Sequence, residues 1–374
     1  MKGFISLVFL CFAMTGVQAQ NDSLYLSGMN MRHLGPGTMS GRVTTIDLVQ
    51  DNPEIIYIGT ASGGAWKSES GGITWSPIFD QEASSSVGAI AINQKKSDQI
   101  WLGTGEGNPR NSHSSGRGIY RSLNGGRTWE LMGLEATKNI HRIIIDPNND
   151  KNIYVAALGS IWGKNPERGV YKSEDGGLSW KHVLKHNDET GCADLVMDPE
   201  NSDKLFAAMW EYGRKPWTFN SGGEGSSLSM TLDGGKTWDK LNGKNGLPDG
   251  PYGRIGIAMA QSDPKVVYAL IESEKTGLYR SNDGGFTWKL QATEDIGNRP
   301  FYYADIFVHP KEKNTVYNLY SMVSKSIDGG KNFEVILPYS GAHPDHHAFY
   351  IHPENPDLML DGNDGGLNIS RDGG

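Results

Sequence analysis

Cysteine is almost missing from this chain: Cys11 and Cys192 are the only two in 374 residues. Cys11 falls in a segment expected to be removed, and a lone Cys192 cannot form an intramolecular disulfide, so a packed core must hold the fold. Long apolar runs are also scarce. The one that exists, Phe4 to Gly16, is too short to span a bilayer. Positive charge is in deficit, with 35 Lys and Arg against 43 Asp and Glu, for a net charge of −8. That balance argues against nucleic acid or an anionic membrane as a partner. A helical period of 3.6 residues is not sustained anywhere beyond a few residues, which disfavours a helical fold.

The apolar run has a use. Lys2 gives it a positive start and Val17-Gln18-Ala19 closes it with small residues, the pattern of a secretory signal peptide over residues 1–19. The mature chain is then exported after cleavage near Ala19, with no membrane insertion. Loss of Lys2 takes its net charge from −8 to −9.

What the chain has in abundance is one repeated phrase: a hydroxyl residue, a turn on Gly-Gly, then a hydroxyl and an aromatic. The copies begin at Ser68 (SESGGITW), Ser122 (SLNGGRTW), Ser173 (SEDGGLSW), Thr231 (TLDGGKTW), Ser281 (SNDGGFTW), Ser326 (SIDGGKNF) and Ser370 (SRDGG). A period of this length marks one supersecondary unit used many times. The Asp side chain can close the turn on backbone N–H groups two and three residues on, and the glycines supply its positive φ. Ser70 and Asn124 replace the Asp in the first two copies and can still accept a hydrogen bond.

Each repeat also carries four strand signals. In the third these are His141–Ile145, Asn152–Ala157, Gly169–Ser173 and Trp180–Leu184, separated by Pro, Asn, Asp and Gly turns. Four strands per repeat and seven repeats predict an all-β fold, a β-propeller with blades at roughly 40–82, 86–133, 139–185, 192–241, 253–293, 302–338 and 346–374. The seventh ends inside its turn, so the chain reads as a piece of a longer protein. Leu24–Arg32 is the alternative source of its fourth strand.

The S-x-D-G-G-x-T-W phrase resembles the Asp-box (BNR) repeat of sialidases, xyloglucanase-type glycoside hydrolases and sortilin (VPS10) propellers. The segments GRVTTIDLVQDNPEIIYIGTASGGAWKSESGGITW, IWLGTGEGNPRNS and HPDHHAFYIHPENPDLMLDGNDGG look like blades of bacterial secreted proteins of the sortilin-N-terminal and xyloglucanase-like kind. The resemblance implies a propeller, a polysaccharide or an exported peptide or protein as partner, and hydrolysis of a glycosidic bond as one possible activity. Fold alone does not carry function, so two readings stand: a glycosyl hydrolase-like enzyme, and a non-catalytic sortilin-type binder. The xyloglucanase-type motif places its first catalytic Asp in a T-D-x-G-G-x-Y/W segment; here Thr60-Ala61-Ser62-Gly63-Gly64-Ala65-Trp66 has Ala61 in that place.

Aligned starts of the first strands gather around a propeller axis, giving a ring of Arg42, Ser86, Arg142, Asp194, Arg254, Asp305 and the His346-His347 pair. Arg42, Arg142 and Arg254 could converge on an anion with their forked donors. They could equally bridge blades through carboxylates. The sialidase reading lacks an Arg-Ile-Pro segment and an assignable Tyr–Glu nucleophile. Glu106 and Asp364, at matching strand ends of blades two and seven, are the candidate acid pair that glycoside hydrolysis requires. Asp305, His346 and His347 are candidate substrate contacts, as are Trp162 and Trp217 on the inserts Gly159–Gly169 and Tyr212–Ser227, where binding residues tend to lie. His343, Asp345, His346, His347 and His352 form the densest polar cluster, but alternation turns His346 and His347 to opposite faces, and no metal site or cofactor is assigned.

Overall fold

The structure is a computed structural model, and it describes residues 41–374. The signal-peptide segment and the candidate strand Leu24–Arg32 lie outside the described residues. Seven antiparallel sheets stand in the described part. Blade one comprises Val43–Leu48, Ile56–Thr60, Ala65–Ser68 and Ser76–Pro77, paired in chain order. Blades two to six repeat that order, and blade seven has three strands, His346–Ile351, Met359–Asn363 and Gly366–Ser370. Blade four is extended: its second strand, Leu205–Lys215, runs past the sheet and folds back as Thr218–Ser221.

The first strand of each blade is innermost. First strands of consecutive blades are neighbours through blade six, and that of blade seven packs on that of blade one, which closes the ring with seven blades. The seam has its own core, where Val43, Leu48 and Ile56 meet Ala348, Leu358 and Leu360. The sheets show why the alternation fails as a two-faced pattern. Both faces of every blade press on a neighbour, so inner strands such as Val87–Ile92 and Ile153–Ala157 are buried along their whole length.

The repeated turn is built by two side chains. Ser173 Oγ accepts the Gly177 N–H at 2.8 Å and donates to Asp175 Oδ1, which also accepts the Ser179 N–H at 2.9 Å. The Asp thus reaches four residues on, and in Asp283 three and four, one residue farther than the two and three predicted, because the Ser hydroxyl already holds the nearer Gly N–H. Gly176 and Gly177 have φ of 76° and 89°, the left-handed region that only glycine enters freely. Two of the box tryptophans stitch blade to blade, while Trp75 and Trp288 bond the Gly carbonyls of their own turns. Trp129 Nε1 donates to the Ile78 carbonyl and Trp180 Nε1 to the Met132 carbonyl, each at 2.7 Å and each in the preceding blade. These turns bond back to the turns between first and second strands, as in Gly71 N–H to Glu54 O. The entries to the first strands and the loops between second and third strands share the opposite face.

Candidate functional site

That opposite face gathers the polar residues of the ring. Arg42 precedes the first strand of blade one, Glu106 and Asn108 follow the second strand of blade two, and Asp364 turns between the second and third strands of blade seven. Arg42 Nε donates to Asp364 Oδ1 at 2.7 Å, its Nη1 donates to the Asn108 carbonyl at 3.1 Å, and Nη1 stands 3.8 Å from Glu106 Oε2. The guanidinium therefore lies between the two candidate acids. Their carboxylates stand no more than about 9 Å apart through it, within the span that glycosidases use.

The two acids have opposite environments. The Glu106 side chain is fully buried and takes Arg110 Nε on Oε1 at 2.6 Å, while Oε2 has no hydrogen bond. Burial raises its pKa, against the pull of Arg42 and Arg110. The Asp364 side chain is 30% exposed. Burial works to raise its pKa too, but hydrogen bonds from His347 and Arg42 outweigh it and hold the carboxyl well below the usual range. Asp364 is thus ionised at neutral pH.

His347 is orientated from both sides. Asn108 Nδ2 donates to its Nδ1 at 3.1 Å and its Nε2–H donates to Asp364 Oδ1 at 2.9 Å. Burial, and then the charge of Arg42, push its pKa down to about 4, so the ring is neutral. Asn108 is fixed in turn by Arg254, whose Nη2 donates to Asn108 Oδ1 at 2.6 Å. Tyr303 stacks against His347 at 5.7 Å and donates to Asp345 Oδ1 at 2.7 Å.

The other two arginines are also committed. Arg142 Nε pairs with Asp194 Oδ1 at 3.0 Å and its Nη2 with Asp305 Oδ1 at 2.5 Å. Arg254 lies 3.6 Å from Asp305 Oδ2. Asp194 bonds the Ile257 N–H as well, tying blade four to blade five. Four guanidiniums (Arg42, Arg110, Arg142, Arg254) face four carboxylates (Glu106, Asp194, Asp305, Asp364). The mouth is charge-compensated, and none of the three aligned arginines presents a free fork to an anion.

The remaining candidates divide. Ser86 Oγ accepts the Glu106 N–H at 3.0 Å and so supports the mouth loop. His346 turns away from His347 and pairs with Asp361 at 2.7 Å inside blade seven. His352 Nε2 donates to the Gln50 carbonyl across the seam at 3.0 Å. Among the described residues no three His, Cys, Asp or Glu side chains converge to hold a metal ion. Trp162 and Trp217 lie on inserts of blades three and four and are 45% and 79% exposed. Both inserts lie on the mouth face: Arg214, near the start of the blade-four insert, donates to Tyr302 Oη at 2.9 Å and contacts Asn111 Oδ1, and its N–H bonds the Ile161 carbonyl of the blade-three insert.

Sequence reasoning missed Asn108, Arg110 and Arg214, and it read Tyr303 only as one aromatic of the Tyr302-Tyr303 pair suited to stacking on a sugar face. Asn108 and Arg110 were within reach, two and four residues beyond Glu106 in the loop Gly105-Glu106-Gly107-Asn108-Pro109-Arg110. Tyr303 and Arg214 acquire their places only through contacts between blades.

Comparison with known proteins bears on this geometry. Residues 117–247 match the family model described as "Sortilin, neurotensin receptor 3" of the Sortilin-Vps10 type. A xyloglucanase of Paenibacillus sp is 25% identical over 349 residues, covering 82% of this chain and 32% of its own length. Among solved structures, the GH74 xyloglucanase of Xanthomonas campestris aligns with a TM-score of 0.65 at 17% identity, over 90% of this chain and 52% of that one. A structure described as YCF48 bound to D1 peptide aligns with a TM-score of 0.59 at 12% identity, over 89% of this chain and 94% of that one. The chain spans about a third of the xyloglucanase it matches in sequence. It is a seven-bladed, glycosyl hydrolase-like β-propeller, similar in sequence to the xyloglucanases and, over residues 117–247, to the Sortilin-Vps10 model.

Proposed function

We propose that this protein is exported and that it binds an extracellular polysaccharide on the mouth face without cutting it by itself. The xyloglucanase relatives support a glycan as the ligand. One observation carries the choice of binding over cleavage: Glu106 is fully buried and held between Arg42 and Arg110. A general acid must reach the glycosidic oxygen, and Arg42 occupies the space between it and Asp364. Ala61, which is buried and has no proton to give, removes the other carboxylate that the resemblance would place here.

The test is to run the protein with xyloglucan, galactomannan and mixed-linkage glucan, measuring retardation in affinity gels and release of reducing ends. Retardation without release is expected. Release that is lost in both Glu106→Gln and Asp364→Asn would instead establish hydrolysis by that pair. That second reading draws on the raised pKa of Glu106 and the short span between the acids. A sortilin-type peptide binder is the third reading, motivated by the match over residues 117–247; retention of peptides but of no glycan would favour it.

A further inference from the structure

All ten tryptophans of the chain lie among the described residues, and eight are buried or half-buried. Of the two exposed ones, Trp162 lines a cleft between the inserts of blades three and four, and Trp217 stands at the tip of the hairpin that forms its other wall, outside the lining itself. The cleft has a volume of about 430 Å³, within the range of small-ligand sites. One wall is the blade-three loop around Ile161 and Trp162; the other is the blade-four hairpin Leu205–Lys215 and Thr218–Ser221. Trp217 sits in the two-residue turn of that hairpin, directly beyond the Lys215–Thr218 pair that lines the cleft. We infer that this cleft is a saccharide-binding subsite, taking a neutral hexose chain with its ring faces against the two indoles. The inference rests on the polysaccharide reading above and locates the binding away from the central mouth.

Three features support a built site. First, the walls are pre-organised. Arg168 is buried at the base, and its guanidinium donates to the carbonyls of Glu189 (2.7 Å), Gly163 (2.9 Å), Tyr212 (3.3 Å) and Ser160, while stacking over Tyr212. The Arg214 N–H donates to the Ile161 carbonyl at 2.9 Å, joining the two walls. Binding then orders little that is not ordered already. Second, Trp162 and Trp217 keep 45% and 79% of their surface in water. Leaving two indoles in water forgoes the burial that fixes the other eight, and exposed aromatic surface beside a cleft marks a contact site. Third, the polar lining suits hydroxyl groups. The lining carries two carboxylates, Glu189 (3.8 Å from Lys164) and Glu211 (which accepts the Gly225 N–H at 3.0 Å on one oxygen), against one lysine, Lys215. Both lining guanidiniums are consumed, Arg168 by carbonyls and Arg214 by Tyr302 and the rings of Phe219 and Phe301. No forked cation is left for a carboxylate or sulfate. A pyranose fits that combination, with apolar C–H faces to stack and hydroxyl edges to donate.

The test is calorimetric titration with cellohexaose, with hexagalacturonate as the acidic control, in the wild type and in Trp162→Ala, Trp217→Ala and the double variant, with tryptophan emission followed in the wild type as a second readout. Cellohexaose is expected to perturb the emission and hexagalacturonate not. Each single variant should weaken binding by about tenfold, as for a truncated aromatic anchor, with an unchanged melting curve, and Trp162→Phe should restore most of it. If the double variant binds cellohexaose or xyloglucan like the wild type, the cleft is not the subsite, while the polysaccharide reading stands. If the wild type binds no glycan, the polysaccharide reading itself fails. Perturbation by hexagalacturonate, or by peptides in place of sugars, would overturn the assignment of a neutral saccharide.

Discussion

Arg42 Nε lies 2.7 Å from Asp364 Oδ1, although 322 residues separate them in the chain. The pair crosses the seam between the first and last blades on the mouth face. The same guanidinium stands against Glu106 of blade two, so one side chain links three consecutive blades.

Arg42→Leu should therefore be strongly destabilising, by about 3–5 kcal/mol, because it leaves the buried Glu106 with one partner fewer and Asp364 without its cation. Adding Glu106→Gln to Arg42→Leu should recover part of the loss, since the amide has no charge to bury. Urea denaturation of the single and double variants measures both. Equal stability of Arg42→Leu and wild type would show that the seam does not depend on the pair.

Stability should depend on pH through opposing groups. His347 is held neutral in the fold with its pKa at about 4 against about 6.5 unfolded, so its contribution is lost as pH falls through that window, while Asp47 works the other way. Asp47 is half-buried, and its desolvation raises its pKa to about 7 against the N–H bonds of Ile92 and Leu48 that favour its charge. Its unfolded value is about 3.9, so between about pH 4 and 7 the folded state holds a proton that the unfolded state has lost. Unfolding free energy from this group falls as pH rises through that window. Asp364 acts with the opposite sign: its pKa is depressed, so its contribution is present above about pH 4 and is lost as pH falls below it. Denaturation from about pH 3 to 8 tests both directions. Asp47→Asn removes the falling contribution, so stability should rise more steeply with pH between about 4 and 7 than in the wild type, and it should cost about 1 kcal/mol at pH 5 because one N–H loses its acceptor.

Glycan binding should be nearly indifferent to salt. With four guanidiniums compensated by four carboxylates, the mouth has little net field to screen. Affinity for xyloglucan should change less than about twofold between about 0.05 and 0.5 M NaCl. A steep loss of affinity with salt would mean that Arg42, Arg142 or Arg254 leaves its carboxylate to hold an anionic ligand.

The repeated turns should matter to the fold and not to the ligand. Asp283→Ala removes the acceptor of the Phe286 and Thr287 N–H groups and of the Thr287 and Ser281 hydroxyls, and should lower the melting temperature with affinity unchanged in the folded fraction. Gly177→Ala should be worse: a Cβ there would meet a Trp101 ring carbon at 2.3 Å, with φ at 89°. Loss of binding with an unaltered melting curve in Asp283→Ala would place these turns in the binding site instead.

The sheets were legible in the sequence because their causes are local. A Ser or Thr, an Asp and two glycines fix a turn within eight residues, and turn chemistry sets the strands on either side of it. Seven such turns imply seven sheets before any tertiary contact is known. The grouping of Arg42, Glu106, Arg142, Arg254, Asp305, His347 and Asp364 on one face was also legible, because equivalent positions of equivalent repeats must come together around an axis. His346 followed the alternation of a strand and turned inward.

What each of those side chains does was decided only by the tertiary structure. Whether Arg142 meets a ligand or Asp194 and Asp305 depends on side chains from blades four and six, and no local pattern encodes that distance. Glu106 and Asp364 occupy matching places in the sequence, yet the first is sealed between Arg42 and Arg110 and the second is part-exposed. The same holds for the tryptophans. Their places on inserts set Trp162 and Trp217 apart from the turn tryptophans in the sequence, but how much of each indole stays in water, 45% and 79%, is set by the packing of neighbouring inserts. Repetition determines architecture because each unit carries its own turn chemistry, whereas burial and charge pairing are properties of contacts between units.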